Sequence, residues 1–117
     1  MITFYGYDKC GTCRKAEAIL KSRGIAYTKI DVTTHPPPAA LLKAILKAGD
    51  YKLGDLFNRS GEQYRQLNMK DKLKAMSEAD AVALLAKNGR LVKRPIVTDG
   101  KNATVGFDED TFAEKWE

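Results

Sequence analysis

The feature that most constrains this chain is a change of hydrophobic period, from two to about 3.6 and back, within residues 2–32. Ile2 to Gly6 alternates Ile2 and Phe4 with Thr3 and Tyr5, a β-branched and aromatic run that predicts a strand. Over about 11–23, Cys13, Ala16 and Leu20, with Ile19 beside them, fall on one helical stripe. Arg14, Lys15, Glu17 and Lys21 lie mostly off it. Gly24 is suited to end that helix, because glycine takes a positive φ without a Cβ clash. Ile25 to Val32 returns to strand chemistry, Ala26, Thr28 and Ile30 alternating with Tyr27 and Lys29. A helix between two strands is a crossover, so the strands run parallel. A chain that starts this way is committed to an α/β fold.

The middle of the chain is helical. Pro36, Pro37 and Pro38 break the second strand, and proline is tolerated at a helix start because that N–H has no partner. Leu41, Leu42, Ile45 and Leu46 mark a helix ending near Gly49, and short helices and turns over about 52–75 are anchored by Leu53, Leu56, Phe57, Tyr64, Leu67 and Leu73. Ser77 with Asp80 resembles a capping box, and Val82, Leu84 and Leu85 give that helix a buried face ending at Gly89. Strand character resumes at Leu91-Val92 and Ile96-Val97-Thr98, and Asp99-Gly100 turns the chain into a second hairpin arm, 103–107. Asp108 caps a last helix with Phe112 and Trp116 one turn apart. The order is βαβ, a helical insertion at about 36–88, then ββα: one domain, 1–117, built on a mixed four-stranded sheet.

Composition narrows the function classes. The chain has 117 residues, 44% of them hydrophobic, with no apolar run of the length a membrane span needs and no secretory leader pattern. A cytoplasmic protein without a membrane partner is expected. The net charge is +5, from 20 basic and 15 acidic residues, but the lysines and arginines alternate with acids. This reads as a solvated surface open to an acidic protein partner rather than as a direct nucleic-acid interface.

The chemistry lies in Cys10-Gly11-Thr12-Cys13, which holds both cysteines of the chain. Two cysteines so close make a poor structural staple, and in a reducing compartment the spacing reads as a reversible dithiol. Cys10 falls where the first helical N–H groups have no partners, so a thiolate there accepts hydrogen bonds and meets the positive end of the helix dipole. That makes Cys10 the nucleophile. Cys13, one turn on, is the more buried and protonated resolving thiol. Gly11 allows close approach of a substrate, and Thr12 adds a hydroxyl. The competing readings are thiols that are incidental and a zinc site. A zinc site needs further ligands, and the single histidine, His35, sits beside three prolines. No metal and no bound cofactor are expected. Arg94-Pro95 opens the later strand. Pro95 is also compatible with an ordinary strand start, and Arg94 with either a solvated surface or an anion-facing guanidinium.

Four segments in order, Tyr7–Ala16 around the dithiol, Phe57–Gly61 before Tyr64 and Leu67, Lys93–Ile96, and Val105–Asp110, resemble the glutaredoxin-coupled arsenate reductase family and its Spx-like regulatory branch over essentially the whole chain. The resemblance implies a thioredoxin-like sheet with an inserted helical subdomain, and a cis proline at Pro95 packed against the dithiol. It matches Cys10 to the family nucleophile and Arg94 to the arginine before the family proline. It also implies glutathione, glutaredoxin or thioredoxin as the source of electrons. Arsenate reductases proper use three arginines around the oxyanion. Here Asn58 stands at the first position with Arg59 displaced by one residue, and Phe107 stands at the third, which makes a poor arsenate site. The regulatory branch retains both thiols and binds the C-terminal domain of the RNA polymerase α subunit through a region matching Lys47–Lys52. Two functions are therefore expected of these residues: an arsenate reductase-like thiol–disulfide oxidoreductase with Arg59 and Pro95 beside its substrate, or a redox-sensing transcriptional regulator.

Overall fold

A computed structural model describes residues 2–59 and 61–116. It contains β1 (Ile2–Gly6), α1 (Gly11–Ser22), β2 (Tyr27–Asp31), α2 (Ala39–Ala48), a 3-10 turn (Leu53–Leu56), α3 (Glu62–Gln66), α4 (Met69–Ala75), α5 (Glu78–Lys87), a second 3-10 turn (Gly89–Leu91), β3 (Ile96–Thr98), β4 (Ala103–Val105) and α6 (Glu109–Lys115). The packing divides the chain into two compact units. One holds the residues up to Asp31 and from Arg94 onward, the other Val32–Lys93.

The first unit carries a mixed four-stranded sheet in the order β2-β1-β3-β4. β1 pairs in parallel with β2, Ile2 opposite Tyr27, because α1 returns the chain to the same edge. β3 runs antiparallel to β1, and β4 antiparallel to β3. Phe4 and Val97 are register partners and so share a face of the sheet. On that face they join Cys13, Ala16 and Leu20 of α1, and Phe112 and Trp116 from the C-terminal segment, in one buried cluster. Each large side chain fully buried there contributes on the order of 1.5–3 kcal/mol. The indole N–H of Trp116 donates to the Thr104 hydroxyl at 3.0 Å, so the one polar atom that the indole brings into the core is satisfied. Arg23 at the end of α1 donates to the Ala113 and Trp116 carbonyls at 2.6 and 2.8 Å, tying α1 to the last helix. This mixed sheet with flanking helices is the thioredoxin-like architecture.

The second unit is helical. Leu42 and Ile45 of α2 and Ala81, Val82 and Leu85 of α5 are buried, and the two helices pack on each other. Ser77 caps α5 by accepting from the Asp80 N–H at 3.1 Å. Leu91-Val92, expected as a strand, instead forms the end of a 3-10 turn followed by a single bridge from Val92 to Phe57. The Asn58 N–H donates to the Leu91 carbonyl at 2.7 Å and the Lys93 N–H to Leu56 at 2.8 Å, which uses up the pairing on both sides of that bridge. Gly89 follows the last helical turn, but its role is one of space. It is buried, and a Cβ there would run into the Val32 carbonyl oxygen. The β2 strand is also shorter than its pattern, since the Ile25 N–H donates to the Leu20 carbonyl at 2.9 Å and belongs to the end of α1.

Candidate functional site

The dithiol sits at the head of α1. Cys10 is the N-cap residue, in extended backbone conformation, and its sulfur accepts the Cys13 N–H at 3.3 Å. The Thr12 hydroxyl lies 3.1 Å from the same sulfur. The loop is fixed from behind by the Cys10 N–H, which donates to the Tyr7 carbonyl at 3.1 Å. It is also fixed by Asp8, whose carbonyl accepts from the Arg14 Nε at 3.1 Å. The Asp8 carboxylate pairs with Lys29 of β2 at 2.5 Å, and Lys29 also reaches Glu17 at 3.4 Å, the acceptor of the Tyr27 hydroxyl. Both cysteines are free thiols.

Their environments differ. Cys13 belongs to the buried core cluster, with no exposure, while Cys10 is half-buried at its edge. Burial opposes ionisation of Cys10. It is outweighed by hydrogen bonds from the Cys13 thiol, the Thr12 hydroxyl and the Cys13 N–H, with the Arg94 charge adding to them, so the Cys10 thiol lies below its ordinary 9.0. Cys13 is pushed up to about 12, chiefly by burial and then by donating its own proton toward the Cys10 sulfur. The two thiols are thus driven apart, Cys10 toward ionisation and Cys13 toward keeping its proton.

Arg94 and Pro95 enter the same unit just before β3. The Arg94–Pro95 peptide bond is cis, Pro95 is buried, and its carbonyl accepts the Gly106 N–H at 2.9 Å. The Arg94 guanidinium carbon lies 5.2 Å from the centre of the Tyr7 ring, a cation–π contact. Gly11 is exposed and a Cβ there would meet nothing within 4 Å, so neither backbone conformation nor packing demands glycine at this position. The structure therefore brings Cys10, Gly11, Thr12, Cys13, Arg94 and Pro95 into one unit. Arg59 belongs to the helical unit, where it is exposed and pairs with Asp55 at 3.6 Å. Phe107 packs its ring tilted against that of Phe112, centres 5.5 Å apart, and lies against the core, so its side chain offers an oxyanion no donor. Sequence reasoning passed over Tyr7 and Lys29. The contacts Tyr7–Arg94 and Asp8–Lys29 join residues far apart in sequence, and no local motif announces them. Among the described residues no group of three or more histidine, cysteine, aspartate or glutamate side chains is placed to hold a metal ion. None of the helices among the described residues is long and apolar enough to cross a membrane.

With this geometry in hand, the chain can be set beside known proteins. It is 48% identical over 115 residues to the uncharacterized protein YusI of Bacillus subtilis, covering 98% of each. It is 29% identical over 110 residues to the global transcriptional regulator Spx of Staphylococcus saprophyticus, covering 94% of this chain and 82% of that one. It superposes with a TM-score of 0.85, at 41% identity, on the crystal structure of a possible arsenate reductase from Streptococcus mutans, covering 92% and 91% of the two chains. The ArsC family model matches residues 5–115, a span that takes in the dithiol, the helical unit and the Arg94-Pro95 turn, and the chain belongs to the ArsC family.

Proposed function

We propose that the protein is a thiol–disulfide oxidoreductase in which Cys10 is the nucleophile and Cys13 the resolving thiol. The observation that carries this reading is the placement of two sulfurs one helical turn apart, Cys10 half-buried at the N-cap, where its sulfur accepts the Cys13 N–H at 3.3 Å, and Cys13 fully buried. Burial opposes ionisation of Cys10 but is outweighed by hydrogen bonds and Arg94, while Cys13 is pushed up to about 12, chiefly by burial. The Cys10 thiolate attacks one sulfur of a client disulfide, forming a mixed disulfide and releasing the other client sulfur as a thiolate that takes up a proton. Cys13 then gives up its proton and attacks the Cys10 sulfur. The client leaves as a second thiol, and the Cys10–Cys13 disulfide remains. Two electrons have passed from the dithiol to the client. Glutathione, alone or through glutaredoxin, or thioredoxin returns them, which places the protein in a reducing cytoplasm. Gly11 leaves the approach to Cys10 open, and Thr12 donates to its thiolate. Arg94 stabilises the thiolate and orients anionic client groups, with Pro95 lining the same approach.

Reduction of a small aromatic disulfide, followed by release of the coloured thiol with glutathione as electron source, tests the reading. The Cys10→Ser variant is expected to lose this activity; equal rates in variant and parent refute the proposal. Arsenate is expected to be a poor substrate, because Asn58 and Phe107 stand where two of the three guanidinium donors are needed. Robust arsenate turnover would overturn that part.

A second reading, a redox-sensing regulator that contacts RNA polymerase through its α subunit, is favoured by similarity to the Spx regulators. It is also favoured by charge, since the whole basic excess of the chain falls in the helical unit Val32–Lys93 while the sheet-bearing unit is balanced. Capture of the polymerase α C-terminal domain by the oxidised or the reduced protein supports it, and capture by neither removes it.

A further inference from the structure

Tyr7 meets the site with two different parts of itself. Its ring lies under the Arg94 guanidinium at 5.2 Å, and its carbonyl accepts the Cys10 N–H at 3.1 Å. Arg94 is half-buried, and among the described residues no carboxylate pairs with it. A carboxylate anchor would fix the side chain but cancel much of its field at the dithiol. An aromatic face fixes it while leaving the charge and the in-plane N–H donors available.

We propose that Tyr7 is a positioning residue whose ring holds the Arg94 guanidinium, un-neutralised, against the dithiol. The inference rests on the reading of Cys10 as nucleophile and assigns part of its reactivity to a residue that never touches the client. The groups that bear on Cys10 are Cys13 and Thr12 from α1 and Arg94 from the turn before β3. Of the remaining charges around the loop, Asp8 and Glu17 both pair with Lys29 of β2, Arg14 of α1 donates to the Asp8 carbonyl, and Lys9 is exposed to solvent. Removing the ring therefore acts on Cys10 through Arg94.

The test is the pH profile of Cys10 alkylation in the full chain, read by mass spectrometry for the parent, Tyr7→Phe, Tyr7→Leu, Arg94→Met and the Tyr7→Leu/Arg94→Met double variant. Tyr7→Leu is expected to shift the Cys10 profile upward, with about a threefold loss of rate on its acid limb. Tyr7→Phe keeps the ring face and the parent profile. In the Arg94→Met background the Leu substitution adds nothing further. Tyr7→Met fills similar space without a ring and repeats the upward shift, so a folding defect in the Leu variant does not remove the test. An unchanged profile in both ring-less variants overturns the proposal, as does a shift of equal size with Arg94 absent. A parent Cys10 that titrates at the ordinary thiol value refutes the functional reading itself, an outcome distinct from either of these.

Discussion

The difference between the two sulfurs can be read as a labelling ratio. At about pH 7 a thiol with a pKa of about 12, as for Cys13, is ionised to roughly one part in 10⁵. Cys10, held below 9.0, is ionised to more than about 1%. The thiolate populations therefore differ by more than about 10³. A less basic thiolate is also a weaker nucleophile. With a Brønsted slope of 0.4–0.5, a gap of about three units gives back roughly 15–30-fold. The net preference for Cys10 is then at least about 30-fold from ionisation alone. Full burial of Cys13 in the cluster of Phe4, Leu20 and Phe112 adds to it. The assay is brief exposure of the reduced protein to limiting iodoacetamide at neutral pH, with the modified cysteine located by mass spectrometry. Carbamidomethylation confined to Cys10 is expected. Comparable labelling of the two cysteines, or faster labelling of Cys13, refutes the assignment of nucleophile and resolving thiol.

Other outcomes follow from the same structure. Because the folded state holds the Cys13 proton up to about 12 while the unfolded chain releases it near 9, the folded state binds more protons between those values. Stability must then fall as pH rises through that window, by up to about 1.4 kcal/mol per pH unit for one proton. Urea unfolding at successive pH values measures this, and the fall should flatten in Cys13→Ala. Gly89→Ala places a methyl group against the Val32 carbonyl and the Thr33 backbone, and should cost about 1–3 kcal/mol by chemical denaturation. Phe112→Ala removes a ring from the core cluster on the sheet face and should cost about 3–5 kcal/mol, read as a lowered denaturation midpoint.

Much of the frame was legible because it is local. The switch of period over residues 2–32 foretold β1, α1, their parallel partner and the place of Cys10 at a helix head. Asp99-Gly100 foretold the hairpin, where the Asp99 carboxylate accepts the Lys101 and Asn102 N–H groups at 2.9 and 2.7 Å. Misreadings arose where tertiary contact decides. Leu91-Val92 has strand-like side chains, yet the partner available to it, Phe57, offers a single bridge. Gly89 resembles a helix stop, but Asn88 is the C-cap, and glycine is needed because another stretch of backbone passes beside it. The same holds at the site. Cys10, Cys13 and Thr12 share one helical turn and could be read from spacing. The ring beneath Arg94 and the Lys29 tie on Asp8 come from remote elements, with no sequence mark beyond ordinary residue types.

The central claim is that Cys10 attacks and Cys13 resolves, and a trapped intermediate measures it most directly. The Cys13→Ser variant, mixed with a small-molecule disulfide and examined by intact and peptide mass spectrometry, should accumulate a mixed disulfide on Cys10, while Cys10→Ser should accumulate none. A mixed disulfide on Cys13 in the Cys10→Ser variant, or no adduct on Cys10 in the Cys13→Ser variant, would contradict the account.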